Sequence, residues 1–132
     1  MFIKKIIEED LSGKDNEDIV NEAKDLIQVK EAIDKLNGET KTGVVLEKDA
    51  SNMMIVGGGK NNKYIVYSSL KGKMYIMSNK YDVLKPPIEI IVGGKKGNYP
   101  SKRCMNLDMV LEAAKHFADR GALAQTFNWE SP

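Results

Sequence analysis

Between residues 43 and 92 the chain runs through five short apolar segments, at 43–47, 53–56, 64–68, 73–77 and 88–92. Only a few residues separate most of them. Gly57-Gly58-Gly59 with Lys60-Asn61-Asn62-Lys63 forms one link, Lys71-Gly72 another, and Pro86-Pro87 stands before the last. Connections this short favour antiparallel hairpins, because parallel neighbours need a long crossover. Several segments are apolar at both parities, which predicts a sheet whose two faces are both partly covered.

Two helices bracket this run. Asp25, with Gln28 three residues on, has the form of a capping box. Leu26, Val29, Ile33 and Leu36 then recur on one helical face, and Asn37-Gly38 supplies a stop, which predicts a helix over 25–37. The second helix is predicted over 107–120. Asn106 or Asp108 would cap it, Leu107, Val110, Leu111, Ala114, Phe117 and Ala118 give the apolar stripe, and Gly121 ends it. A first strand is expected at 2–7, a polar loop at 11–18, and a last short strand around Phe127-Asn128-Trp129. The predicted class is α+β: an antiparallel sheet of about five to seven strands with two main helices, in the order β-α-β-β-β-β-β-α-(β).

At 132 residues the chain is expected to be a single domain over 1–132, long enough to bury a real core. It has neither a membrane-length apolar run nor a signal-peptide pattern, and Cys104 is the only cysteine. These features lead us to expect a cytoplasmic protein without disulfides. Charge is distributed unevenly. Residues 1–40 carry 6 Lys against 11 Asp or Glu, whereas residues 41–132 carry 14 Lys or Arg against 8 Asp or Glu. From Gly58 to Arg103, 10 basic residues meet only Asp82 and Glu89. Such a block suits an anion or nucleic-acid surface, or equally a set of solvated strand edges.

The stretch Ile91-Val92-Gly93-Gly94-Lys95-Lys96-Gly97-Asn98-Tyr99-Pro100 invites a phosphate-cradle reading, since an apolar strand enters a glycine-rich loop with a helix to follow. Neither this loop nor Gly57-Gly58-Gly59-Lys60-Asn61 has P-loop or dinucleotide spacing, so backbone turning is the competing explanation. His116 is the only histidine and lies one turn after Glu112. A single His–Glu pair falls short of a zinc site, and no nucleophile–base set stands out. No metal, cofactor or catalytic residue is expected. Tyr64, Tyr67, Tyr75, Tyr81 and Tyr99 interleave with lysines, which suggests a sheet that could stack single-stranded bases.

One set of residues, in order, is similar to a known family. It comprises Met54-Ile55-Val56-Gly57-Gly58-Gly59, then Lys63-Tyr64-Ile65-Val66, then Glu89 through Pro100, then Val110 through Phe117, then Gly121 and Trp129-Glu130. Over about residues 25–130 the chain resembles the type-one Imm family of immunity proteins, from bacterial polymorphic toxin and contact-dependent inhibition systems. The resemblance implies a non-enzymatic partner of a cognate toxin C-terminal domain, often a nucleic-acid deaminase or a nuclease. The expected complex is a one-to-one heterodimer that blocks the toxin's active site; no membrane partner is expected, and direct nucleic-acid binding is the less favoured reading. Gly57, Gly58, Gly93, Gly94, Tyr99, Pro100 and Trp129 are then expected to maintain the fold.

Two candidate toxin-facing surfaces follow. One is the acidic segment from Glu8 to Asp25, represented by Glu17, Asp18 and Glu22, which could plug a basic cleft as a phosphate mimic. The other is a sheet surface bearing Tyr64, Tyr67 and Tyr75. The alternative function is a small nucleic-acid-binding module that uses the same basic, tyrosine-bearing sheet.

Overall fold

The computed structural model describes residues 1–10, 17–79 and 85–132. Among the described residues nine strands and two α-helices follow one another: β1 (Lys5–Asp10), β2 (Glu17–Glu22), α1 (Leu26–Asp34), β3 (Gly43–Asp49), β4 (Asn52–Gly58), β5 (Tyr64–Leu70), β6 (Lys73–Ser78), β7 (Ile88–Val92), β8 (Lys95–Tyr99), α2 (Leu107–Arg120) and β9 (Asn128–Glu130). Seven strands form one antiparallel sheet in the order β2-β1-β3-β4-β5-β6-β9, and β7 with β8 forms a separate hairpin. The α+β class, the two helices and the antiparallel sheet are as the sequence predicts.

Both helices cover one face of the sheet. The register aligns Ile6, Leu46, Met54, Ser68 and Tyr75 across five strands on that side. Val44, Val56, Val66 and Met77 are buried with them against Val29 and Ile33 of α1 and Val110, Ala114 and Phe117 of α2. α1 starts as the capping box requires: Gln28 N–H donates to Asp25 Oδ1 at 3.0 Å, and Asp25 N–H donates to Gln28 Oε1 at 3.2 Å. It ends three residues before Asn37. Asn37 Oδ1 accepts from the amides of Glu39, Thr40 and Lys41, so this residue builds the turn beyond the helix rather than its last position. α2 spans the predicted residues. Asn106 is its cap, accepting from Met109 N–H at 3.0 Å, and Gly121 N–H donates to Phe117 at its end.

The edges differ from the sequence reading. β1 begins at Lys5, because Phe2 N–H donates to the Ala118 carbonyl at 2.8 Å and Phe2 meets Phe117 edge-to-face at 5.6 Å. The loop expected at 11–18 lies outside the described residues except for Glu17 and Asp18, which belong to β2. Tyr81 and Asp82 also lie outside. β2 and β8 are strands the sequence reading did not foresee.

Candidate functional site

On the face opposite the helices, the β7–β8 hairpin lies over β4, and the two glycine pairs meet there. A Cβ on Gly57 would stand 2.5 Å from Val92 Cγ1, and one on Gly58 would stand 2.4 Å from the Lys63 carbonyl and 3.0 Å from Ile90 Cγ2. Only glycine admits the hairpin this closely. Gly93 (φ 59°) and Gly94 (φ 77°) make the two-residue turn, both in the left-handed region that such hairpins demand. The stretch therefore turns from strand to strand, with β8 inserted before α2, and not from strand to helix.

The amides of these loops are used within the protein. Gly94 N–H donates to Thr42 Oγ1 at 2.9 Å, Gly58 N–H to the Thr42 carbonyl at 3.1 Å, and Gly59 N–H to the Lys63 carbonyl at 2.9 Å. Thr42, fully buried, donates in turn to the Glu9 carboxylate. These amides thus point inward to protein acceptors instead of forming an anion nest. Lys60, Lys63 and Lys96 do border a cleft of about 190 Å³ with Glu89, and all three lysines are exposed.

The C-terminus is fastened at the other end of the sheet. Trp129 Nε1 donates to the Ala124 carbonyl at 3.0 Å. Glu130 meets Lys102 Nζ at 2.9 Å and Arg103 Nη2 at 3.0 Å, and accepts from Ser78 Oγ at 2.7 Å. The Lys102 bond, then that of Ser78, outweighs partial burial and holds the Glu130 carboxyl down at about 2. Pro100 accepts from Arg103 N–H at 2.9 Å, and the Cys104 thiol lies 3.6 Å from the same carbonyl.

At the opposite edge is the acidic strand. Every residue of β2 is exposed. In the register Asp18 stands opposite Glu9 and Glu17 opposite Asp10, while Glu22 stands opposite Lys5. Like charges placed directly opposite one another, as Asp18 is to Glu9, weaken a strand pair. The acidic excess of the first forty residues is thus carried in part by an exposed edge strand.

The family comparison decides what this scaffold is. The family model described as immunity protein Imm1 matches residues 22–131, nearly the whole chain. The chain belongs to the Imm1 immunity protein family. A search of curated proteins gave no match. The matched range begins at the last residue of β2, so the scaffold from α1 to β9 is what this Imm1 member shares with its family model, and most of the acidic β1–β2 hairpin lies ahead of it.

The tyrosine surface has to be corrected. Tyr64 and Tyr67 are three residues apart on one strand, so they point to opposite faces. Tyr64 is only 5% exposed and belongs to the core, where burial raises its phenol pKa. Tyr75 packs against the helix-side core, with Lys73 Nζ 5.6 Å from its ring centre. Tyr67 alone faces the hairpin side, half-buried, its phenol pushed up by burial. Tyr64, Tyr67 and Tyr75 therefore do not form one surface; Tyr67 has Tyr99 and Arg103 as neighbours instead. On the exposed strand β2, Asp18 and Glu22 share one face and Glu17 points to the other.

His116 lines a groove of about 470 Å³ between α2 and the segment before β9, beside Glu112, Lys115 and Asp119. Cys104 sits at the Pro100 turn and does not line that groove. Among the described residues no group of three or more His, Cys, Asp or Glu side chains could hold a metal ion, and no helix is long and apolar enough to cross a membrane.

Proposed function

We propose that this Imm1 family member binds the C-terminal domain of a cognate toxin one-to-one in the cytoplasm and covers its active site, without catalysis of its own. The toxin class that fits is one acting on nucleic acid, a deaminase or a nuclease. The observation that carries this reading is the exposed acidic strand β2, where Asp18 stands opposite Glu9 on a scaffold of the immunity family. Like charge so placed is a cost in the free protein. It becomes a gain when a basic cleft, shaped for a phosphate backbone, closes over it. The glycine-turned β7–β8 hairpin serves the fold in this reading.

Co-expression tests it. The toxin encoded immediately upstream should arrest growth alone, and this chain should restore growth and co-purify with it. Failure of both rescue and complex formation with every neighbouring toxin would refute the reading.

A further inference from the structure

β2 is an edge strand with an unused side. Ala23 N–H donates to the Lys4 carbonyl at 2.9 Å, so the alternation of an antiparallel ladder turns the peptide groups of Asp18, Val20 and Glu22 away from β1. The Glu22 carbonyl is taken by Gln28 Nε2 at 3.2 Å. Among the described residues no strand pairs with the outer side of Asp18 or Val20. An open edge of this kind is a template for another strand, and proteins usually blunt it. Here Ile19 and Val20 are left 42% and 56% exposed in the middle of it.

The side chains say what would fit. Across the hairpin-side face the register aligns Val20, Ile7, Val45, Ile55, Tyr67 and Ile76 in one apolar row. The row stops at Val20 because the sheet stops there. Asp18 and Glu22 flank Val20 on the same face. A second copy of β2 does not suit this edge, for the antiparallel register that centres Val20 on its own copy opposes Asp18 to Glu22 twice.

The geometry points to addition of a strand from the toxin domain along the outer edge of β2, in the pattern basic–x–apolar–x–basic. Its apolar residue extends the row beyond Val20, and its two Lys or Arg residues stand against Asp18 and Glu22. Main-chain hydrogen bonds to Asp18 and Val20 supply the attachment, and the alternate side chains supply the selectivity. This rests on the immunity reading and adds to it the place and the form of contact.

Amide exchange in the wild-type complex with the upstream-encoded toxin domain tests it. The amides of Asp18 and Val20 should be slowed at least tenfold by the toxin domain. Val20→Pro removes an outward N–H and leaves the β1–β2 ladder intact, so it should keep the melting temperature and lose at least tenfold in affinity. Val20→Thr, which keeps that N–H, should bind within a few-fold of wild type. A stable wild-type complex in which the Val20 amide exchanges as in the free chain would overturn the proposal and leave the immunity reading standing. A toxin-free dimer that protects Val20 would overturn it in favour of self-association. If Val20→Pro fails to fold, the exchange measurement decides alone.

Discussion

Val92 lies so close over Gly57 that a Cβ on the glycine would be 2.5 Å from Val92 Cγ1. This contact joins the strand end at Gly57-Gly58 to the strand that leads into Gly93-Gly94, and it explains why residue 57 is glycine. Gly57→Val should destabilise the chain by about 1–3 kcal/mol through overpacking. Shortening the neighbour with Val92→Ala should recover part of the loss, as a double-mutant cycle in urea would show. Additive effects would mean that the two residues do not press on one another.

The turn itself makes a contrasting demand. Gly94 has a φ of 77°, and Gly94→Val should cost about 2 kcal/mol because a branched residue resists the left-handed region. Lys95→Ala with Lys96→Ala changes only exposed side chains and should leave the melting temperature within about a degree or two. A Gly94→Val chain as stable as wild type would remove the structural reading of the pair.

Thr42 joins the hairpin to β1 through a single hydroxyl, which accepts from Gly94 N–H and donates to Glu9. Thr42→Val keeps the shape, leaves the Gly94 N–H without its acceptor and removes one of two donors from Glu9, whose bond from the Thr42 N–H at 3.3 Å remains, so a loss of about 1–3 kcal/mol is expected. Faster amide exchange at Gly94 than at the α2 core amides would locate the damage in the hairpin.

Glu130 sets an acid-stability window. Its carboxyl is held at about 2, below an ordinary value of 4.5, chiefly by Lys102 and Ser78. The folded chain therefore binds this proton less readily than the unfolded one. Its stabilisation is present above about pH 4.5 and is lost as the pH falls toward 2. Partial exposure screens the pair, and about 1 kcal/mol is a fair magnitude. Glu130→Gln should lower the melting temperature at pH 7 and narrow its difference from wild type as the pH drops through that window. A difference that does not change with pH would contradict the assignment.

Much of this was readable beforehand, for reasons that particular residues make clear. Asn106 and Gly121 punctuate α2 strongly enough to give both of its ends, and Asp25 with Gln28 marks the start of α1. β3 to β7 show themselves as apolar runs between turns. β2 does not, because Glu17 to Glu22 have no buried face and so no alternation to read. β8 is hidden by its lysines, glycine and asparagine, and forms because the Gly93-Gly94 turn presents it to β7. The three tyrosines were a matter of parity: an odd separation on one strand separates Tyr64 from Tyr67, a signal present in the sequence. The row that ends at Val20 depends on the registers of six strands, which no local pattern contains.

Charge at the β2 edge should act on the rate of encounter. Neutralising it with Glu17→Gln, Asp18→Asn and Glu22→Gln should slow association with the toxin domain roughly tenfold at low salt, with the difference shrinking near 0.15 M salt as screening sets in. Stopped-flow binding across a salt series measures both arms. Equal rates for the two chains at low salt would take β2 out of the contact.

The central claim is that this chain blocks a toxin's active site one-to-one. Titrating the purified chain into a fixed amount of the upstream-encoded toxin domain, with cleavage or deamination of a nucleic-acid substrate as the readout, tests it most directly. Activity should fall linearly and vanish at one equivalent. Undiminished activity at a several-fold excess of the chain would contradict the account.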